Sequence, residues 1–217
     1  MESLITSCCI IRDNKVMLND RLIYYQENIS KFADFAKSVY KQANISYPKF
    51  YKMDSVSKLG FLATELVLQE RTIAGYLPEK VGVVFANASS SLDTDMAHQE
   101  TIKDRSGYFP SPSVFVYTLP NIVIGEVCIR HQIKGENAFL ISESADAKMI
   151  CNYVNELFDN DRVDACICGW VEVLGGQFFS LAMLVEKPEH YIPTDGIIKF
   201  LPKIFNVEHV NLFLKPN

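Results

Sequence analysis

Apolar positions along this chain fall into two patterns, unbroken runs and stripes at helical spacing, and the two alternate. The run at 3–11, followed by Asp13-Asn14, predicts a first strand, with a short hairpin arm at 15–18. Between 28 and 42, Ile29, Phe32, Phe35, Ala36 and Val39 share one helical face. A second stripe, Leu59, Leu62, Ala63, Leu66 and Val67, predicts a helix over 55–70. The run 81–86 is apolar at every position, as in a parallel strand buried on both faces. A long polar loop is expected over 89–108, and loops of that length are usually functional or mobile.

The pattern resumes with a helix from Leu119-Pro120-Asn121 to about 132, a Lys134-Gly135 stop, and a short apolar strand, Ala138, Phe139, Leu140 and Ile141. The next helix is expected to begin near Ser144 and to carry Ala147, Ile150, Cys151, Val154 and Leu157 as its stripe. Asp159-Asn160-Asp161 stops it, and two strands, 163–174 and 177–185, flank the hairpin signal Gly175-Gly176. The tail predicts a short helix at 196–205 and a strand at 209–214. Strands alternating with helices in this order predict an α/β fold.

Composition narrows the class. With 217 residues, 48% apolar and 22% charged, the chain can bury a sizeable core, and disorder is not expected. A net charge of −5 with scattered Lys and Arg gives no footprint for nucleic acid. No apolar run reaches the roughly 18 residues of a membrane span, so a membrane partner is not expected and a cytoplasmic protein is. The six cysteines, Cys8, Cys9, Cys128, Cys151, Cys166 and Cys168, lack metal or redox spacing and read as buried free thiols. The four histidines, His98, His131, His190 and His209, are isolated, and no phosphate-binding or dinucleotide fingerprint occurs. Glu126 stands at i and Arg130 at i+4 of the predicted helix, which reads as ordinary surface pairing.

The order of motifs resembles the N-terminal half of the β-ketoacyl-acyl-carrier-protein synthases, which have the thiolase fold. In that family a Leu-Pro-Asn turn opens a helix, the helix closes on a basic residue and a Gly-Pro, and a strand then delivers a nucleophilic cysteine at a helix N-terminus. Here the turn is Leu119-Pro120-Asn121, the helix closes on Ile129-Arg130-His131, and Gly135 is followed by Glu136 instead of Pro. Counting on from Gly135 without a gap puts Ser144 in the place of the cysteine. Ser142-Glu143-Ser144-Ala145 also resembles the corresponding segment of chain-length factors, the cysteine-less subunits that pair with an active synthase. Tyr51-Lys52-Met53-Asp54 is similar to the family's Arg-Met-Asp-like helix start. The resemblance spans 3–186, with its specific motifs within 51–169.

It implies a single thiolase-like half, βαβαββ, with a mixed, mostly parallel five-stranded sheet and helices on both faces, plus a short C-terminal extension. Residues 1–186 would form the ketosynthase-like domain and 187–217 an extension packed on it. The family's two catalytic histidines come from its second half and have no counterpart in 187–217. A serine needs a neighbouring base, and Glu143 and Asp146 beside Ser144 would disfavour an anion, so Ser144 reads as vestigial and no catalytic residue is assigned.

The expected role is that of a catalytically silent, chain-length-factor-like subunit in type II polyketide or fatty-acid-like assembly, such as that of aryl polyene or flexirubin-type pigments. Its partners would be an active synthase, or a second copy of itself, and acyl carrier protein; no cofactor or metal is needed. Ala138, Phe139, Leu140 and Ile141 would form the dimer's edge strand, and Phe115, Tyr117 and Thr118 are candidates for lining an acyl tunnel or, alternatively, for core packing. Lys52, Lys58, Arg130 and Lys134 are the basic positions to weigh against an acidic carrier. Two other readings stay open: a minimal acyltransferase or ketosynthase acting through Ser144, and a homodimeric protein that binds acyl groups or carrier protein.

Overall fold

The computed structural model describes residues 2–27, 29–104, 109–191 and 200–215. Its elements in chain order are β1 (Leu4–Arg12), β2 (Lys15–Leu18), β3 (Arg21–Tyr25), α1 (Phe32–Gln42), α2 (Ser55–Glu70), β4 (Val81–Asn87), α3 (Leu92–Ile102), α4 (Pro112–Phe115), α5 (Ile122–His131), β5 (Asn137–Ile141), α6 (Ala147–Asp159), β6 (Ala165–Leu174), β7 (Gln177–Glu186), β8 (Lys203–Ile204) and α7 (Val207–Leu214). The sheet runs β3-β2-β1-β7-β6-β4-β5, with β8 also on β1. Its core is the expected five strands: β4 pairs in parallel with β5 and β6, while β7 is antiparallel to both β6 and β1. Four of those five strands therefore point the same way. The hairpin β2–β3 and the short β8 widen the sheet to eight strands.

Alternation along the strands builds two cores, one on each face. Val83 and Phe85 of β4 face α1, α2 and α5, whereas Val84 and Ala86 face α6 and α7. Because β4 lies between two parallel neighbours and under helices on both sides, all seven of its residues are buried. Between β6 and β7 the two-residue connection pairs Leu174 with Gln177 and puts Gly175 and Gly176 at φ of 57° and 82°. That backbone is open to glycine and strained for most other residues. At the opposite end of the sheet, Gly135 lies so close to β4 that a Cβ there would stand 2.3 Å from the Val81 carbonyl oxygen. Arg71, just past α2, holds the fully buried Glu186 of β7 with two nitrogens, and the Tyr76 hydroxyl donates to the same carboxylate at 2.5 Å.

Several expectations are corrected. Residues 92–102, expected to be loop, form α3; the stretch has no apolar stripe, but Asp93 and Asp95 sit in its first turn, where the helix dipole favours them. Residues 105–108 of that loop lie outside the described residues, as do residue 28 of the first predicted helix and 196–199 of the tail helix. The tail's order is the reverse of the expected one. Lys203–Ile204 is a strand and Val207–Leu214 a helix, opened by Asn206, whose side chain accepts from the His209 N–H at 2.9 Å. Val210 and Phe213 of that helix pack with Ile150, Cys151 and Val154, so the tail covers α6. Finally, α6 begins at Ala147, not near Ser144, because Asp146 is the capping residue and accepts from the Met149 N–H at 3.0 Å.

Candidate functional site

The C-terminal ends of β4, β5 and β6 meet at one edge of the sheet, where side chains tie their loops together. Asn87, buried at the end of β4, bonds the backbone of Ser90 in both directions, and its carbonyl accepts from the Ser142 N–H just after β5. Glu172 of β6 accepts from the Ala88 N–H at 2.6 Å and from the Ser89 hydroxyl. Asp93 accepts from the Gly175 N–H at 3.1 Å, and Asp54, the cap of α2, accepts from Thr94 at 2.9 Å. These bonds join α2, α3 and the β6–β7 turn into one surface. Beside it opens a cavity of about 290 Å³, lined by Lys52, Met53, Asp54, Thr94, Val114 and Tyr117 among others.

The three residues expected to line a tunnel separate here. Tyr117 is buried and walls the cavity, Phe115 points outward with 60% of its surface exposed, and Thr118 is half-buried with its hydroxyl turned to the Phe115 carbonyl. The Tyr117 hydroxyl donates to Glu126 Oε1 at 3.1 Å, and Lys49 Nζ lies 2.9 Å from the same oxygen. Glu126 is therefore not the surface partner of Arg130 that its spacing suggested. It is 3% exposed, its Oε2 has no hydrogen bond, and Arg130 bonds Glu65 instead. Burial, and then the facing Glu126 carboxylate, pushes the Tyr117 phenol well above its ordinary range, so it remains a donor.

Glu65 sits on the buried face of α2 between Arg130 and His131. The His131 Nε2 lies 2.7 Å from Glu65 Oε1, at ion-pair distance but outside hydrogen-bonding angles. Burial pushes the Glu65 carboxyl up, and the two basic side chains outweigh it and leave the carboxyl below its usual range. Of the other basic candidates, Lys58 donates to the Met53 carbonyl at 2.5 Å, Lys52 is exposed at the cavity, and Lys134 lines a separate depression with Lys80 and Arg162. The four do not share one lining.

Ser144 is exposed, lies outside α6, and has no side-chain hydrogen bond among the described residues. The histidines are engaged elsewhere: His98 against the Phe115 ring, His131 at Glu65, His190 against Tyr76, and His209 at the Ile204 carbonyl. Five cysteines are buried and Cys128 is half-buried; burial pushes the Cys151 thiol up to about 12 and the Cys128 thiol to about 11, away from reactivity. Among the described residues no group of three or more His, Cys, Asp or Glu side chains could hold a metal ion, and no helix is long and apolar enough to cross a membrane.

Among the described residues β5 pairs with β4 alone, which leaves its other side open there. Ala138, Phe139 and Leu140 are partly buried and Ile141 is 51% exposed. Further large apolar side chains, Leu92, Met96, Phe109, Phe115, Val116 and Leu119, are exposed on α3, α4 and the segment leading to α5.

No family model and no curated protein matches the sequence. Solved structures do. A structure described as the ishigamide ketosynthase/chain length factor is 16% identical with a TM-score of 0.64, over 88% of this chain and 63% of that one. A ketosynthase in complex with its chain length factor from Xenorhabdus doucetiae is 10% identical with a TM-score of 0.54, over 86% and 79%. A β-ketoacyl synthase from Burkholderia phymatum STM815 is 13% identical with a TM-score of 0.59, over 87% and 60%. The chain spans less than two thirds of the length of the first and third of these. Over most of its length the chain has the thiolase-like fold of ketosynthases and chain length factors.

Proposed function

We propose that this chain is a chain-length-factor-like subunit, without condensing chemistry of its own, that pairs with an active β-ketoacyl-acyl-carrier-protein synthase. The observation that carries the reading is an exposed, unassisted serine, Ser144, at the position where motif spacing in a ketosynthase-like fold puts the nucleophile. An acyl-enzyme bond there would need a base, and no histidine contacts that hydroxyl among the described residues. Pairing is supported by the open edge of β5, since an unpaired strand edge invites a strand from another chain.

In this reading 1–186 is the ketosynthase-like unit and 187–217 its extension, acting in the cytoplasm. The substrates are acyl chains carried by acyl carrier protein, in type II polyketide or fatty-acid-like assembly of the aryl polyene or flexirubin kind. The subunit contributes shape. Tyr117 walls the cavity, and Phe115 and Thr118 join the wall when the partner covers segment 109–121. Co-expression with the synthases of its own source, with product lengths measured with and without the chain, tests the proposal. Product lengths that do not change when the chain is left out would sink it.

A further inference from the structure

Segment 109–121 carries four of the exposed apolar side chains, Phe109, Phe115, Val116 and Leu119, yet has a single buried side chain of its own, Tyr117. An ordered segment that exposes this much apolar surface needs an anchor, because its own packing supplies little. Other ties exist. The Ser91 hydroxyl donates to the Thr118 carbonyl at 2.8 Å, and the His98 ring packs on Phe115 at 5.3 Å. Both of these rest on α3 and neither reaches the core. Tyr117 alone enters the core beneath α2 and α5, and the partner of its hydroxyl there is Glu126.

Burying a carboxylate for packing alone is unfavourable, since a leucine of similar size would fill the space without desolvation. Glu126 nevertheless occupies the buried face of α5, beside Val123 and Val127, with one oxygen shared by Lys49 and Tyr117 and the Tyr47 phenol also at the carboxylate. A buried carboxylate that gathers these groups is explained if its bonds hold something in place. Lys49, about half exposed, supplies the countercharge from the short helical turn before α2.

We propose that Glu126 is a positioning residue: with Lys49 it holds Tyr117, and through it segment 109–121, in the conformation that presents Phe109, Phe115, Val116 and Leu119 to a partner. Its consequence for docking rests on the reading of this chain as a synthase-binding subunit. The latch itself stands on the intramolecular geometry. Its components are the α5 carboxylate, the segment's phenol, and Lys49 and Tyr47 from the stretch before α2.

Hydrogen exchange of the full chain, read by mass spectrometry, tests it on Glu126→Leu, Glu126→Gln and Tyr117→Phe. Exchange in peptides covering 109–121 is expected to rise about tenfold in Glu126→Leu and Tyr117→Phe, the scale of one hydrogen bond to a charged group. Peptides from β4 and β6 should be unchanged. Glu126→Gln keeps a neutral acceptor for the phenol but loses the Lys49 ion pair, and should fall between wild type and the two disrupting variants. The same two disrupting variants should bind the partner synthase about tenfold more weakly. Unchanged exchange in 109–121, or an equal rise across the whole chain, would overturn the latch. Looser exchange with undiminished synthase binding would overturn its role in docking. If the wild-type chain captures no synthase at all, the functional reading falls, and the exchange measurement still decides the latch.

Discussion

Replacing Ile141 by proline should separate pairing at the sheet edge from folding. The Val83 N–H donates to the Glu136 carbonyl and the Ser142 N–H to the Asn87 carbonyl, at 3.0 and 3.1 Å, in a register that pairs Val83 with Asn137 and Asn87 with Ile141. Strand alternation then turns the N–H groups of Ala138 and Leu140 toward β4 and those of Phe139 and Ile141 outward. Proline at 141 removes no bond to β4, and edge positions tolerate it. Its side chain is 51% exposed, so little packing is lost and the melting temperature should fall by only a few degrees. Against a partner strand it removes one donor, and the bulk of its ring displaces a neighbouring bond. At about 1 kcal/mol each, the loss is about 2 kcal/mol, or roughly 30-fold in Kd. Calorimetric titration against the synthase, with Ala138→Pro as the variant that does break the β4 ladder and unfold more easily, measures the split. Wild-type affinity in Ile141→Pro would refute the claim that β5 is the pairing edge.

Further outcomes follow from the same contacts. Gly135→Ala would place a methyl 2.3 Å from the Val81 carbonyl and should cost about 1–3 kcal/mol, read as a lower urea midpoint at unchanged slope. Glu65 has a depressed folded-state pKa, so its contribution to stability is present above the unfolded carboxyl value of about 4.3 and is lost as the pH falls through the folded value. Glu65→Gln should therefore flatten the acid limb of a stability-against-pH curve, and an unaltered limb would contradict this assignment. Ser144→Ala should leave the rate and product length of the assembled system within twofold of wild type, measured by product chromatography, whereas loss of product would restore Ser144 as a nucleophile.

The elements legible in the sequence were those whose pattern and packing agree. β4 reads as a buried strand because it has apolar residues at every position and helices on both faces. The hairpin β6–β7 reads from Gly175-Gly176 and α2 from its stripe, while the cap at Asp54 comes from the structure. Where sequence reasoning failed, a local competitor won. Ser144 and Asp146 both suit a helix start, and the one directly before the apolar stripe took the cap. The tail's Val207, Val210 and Phe213 lie three apart, a helical spacing hidden inside an apolar run that reads equally well as a strand. α3 has almost no apolar face, so periodicity could not reveal it; its place is set by Ser91, Asp93 and Thr94 reaching other elements. Glu126 was misread because i+4 spacing to Arg130 suggests a surface pair, while the buried neighbours Val123 and Val127 on the same helix were the available warning.

In the proposed reading this chain pairs with a synthase through β5 and segment 109–121. Size-exclusion chromatography with light scattering, on the chain alone and co-expressed with the ketosynthases of its own source, decides whether it does. A stable one-to-one complex with a co-expressed synthase is the predicted result. A well-behaved monomer or homodimer that ignores every co-expressed synthase would contradict it.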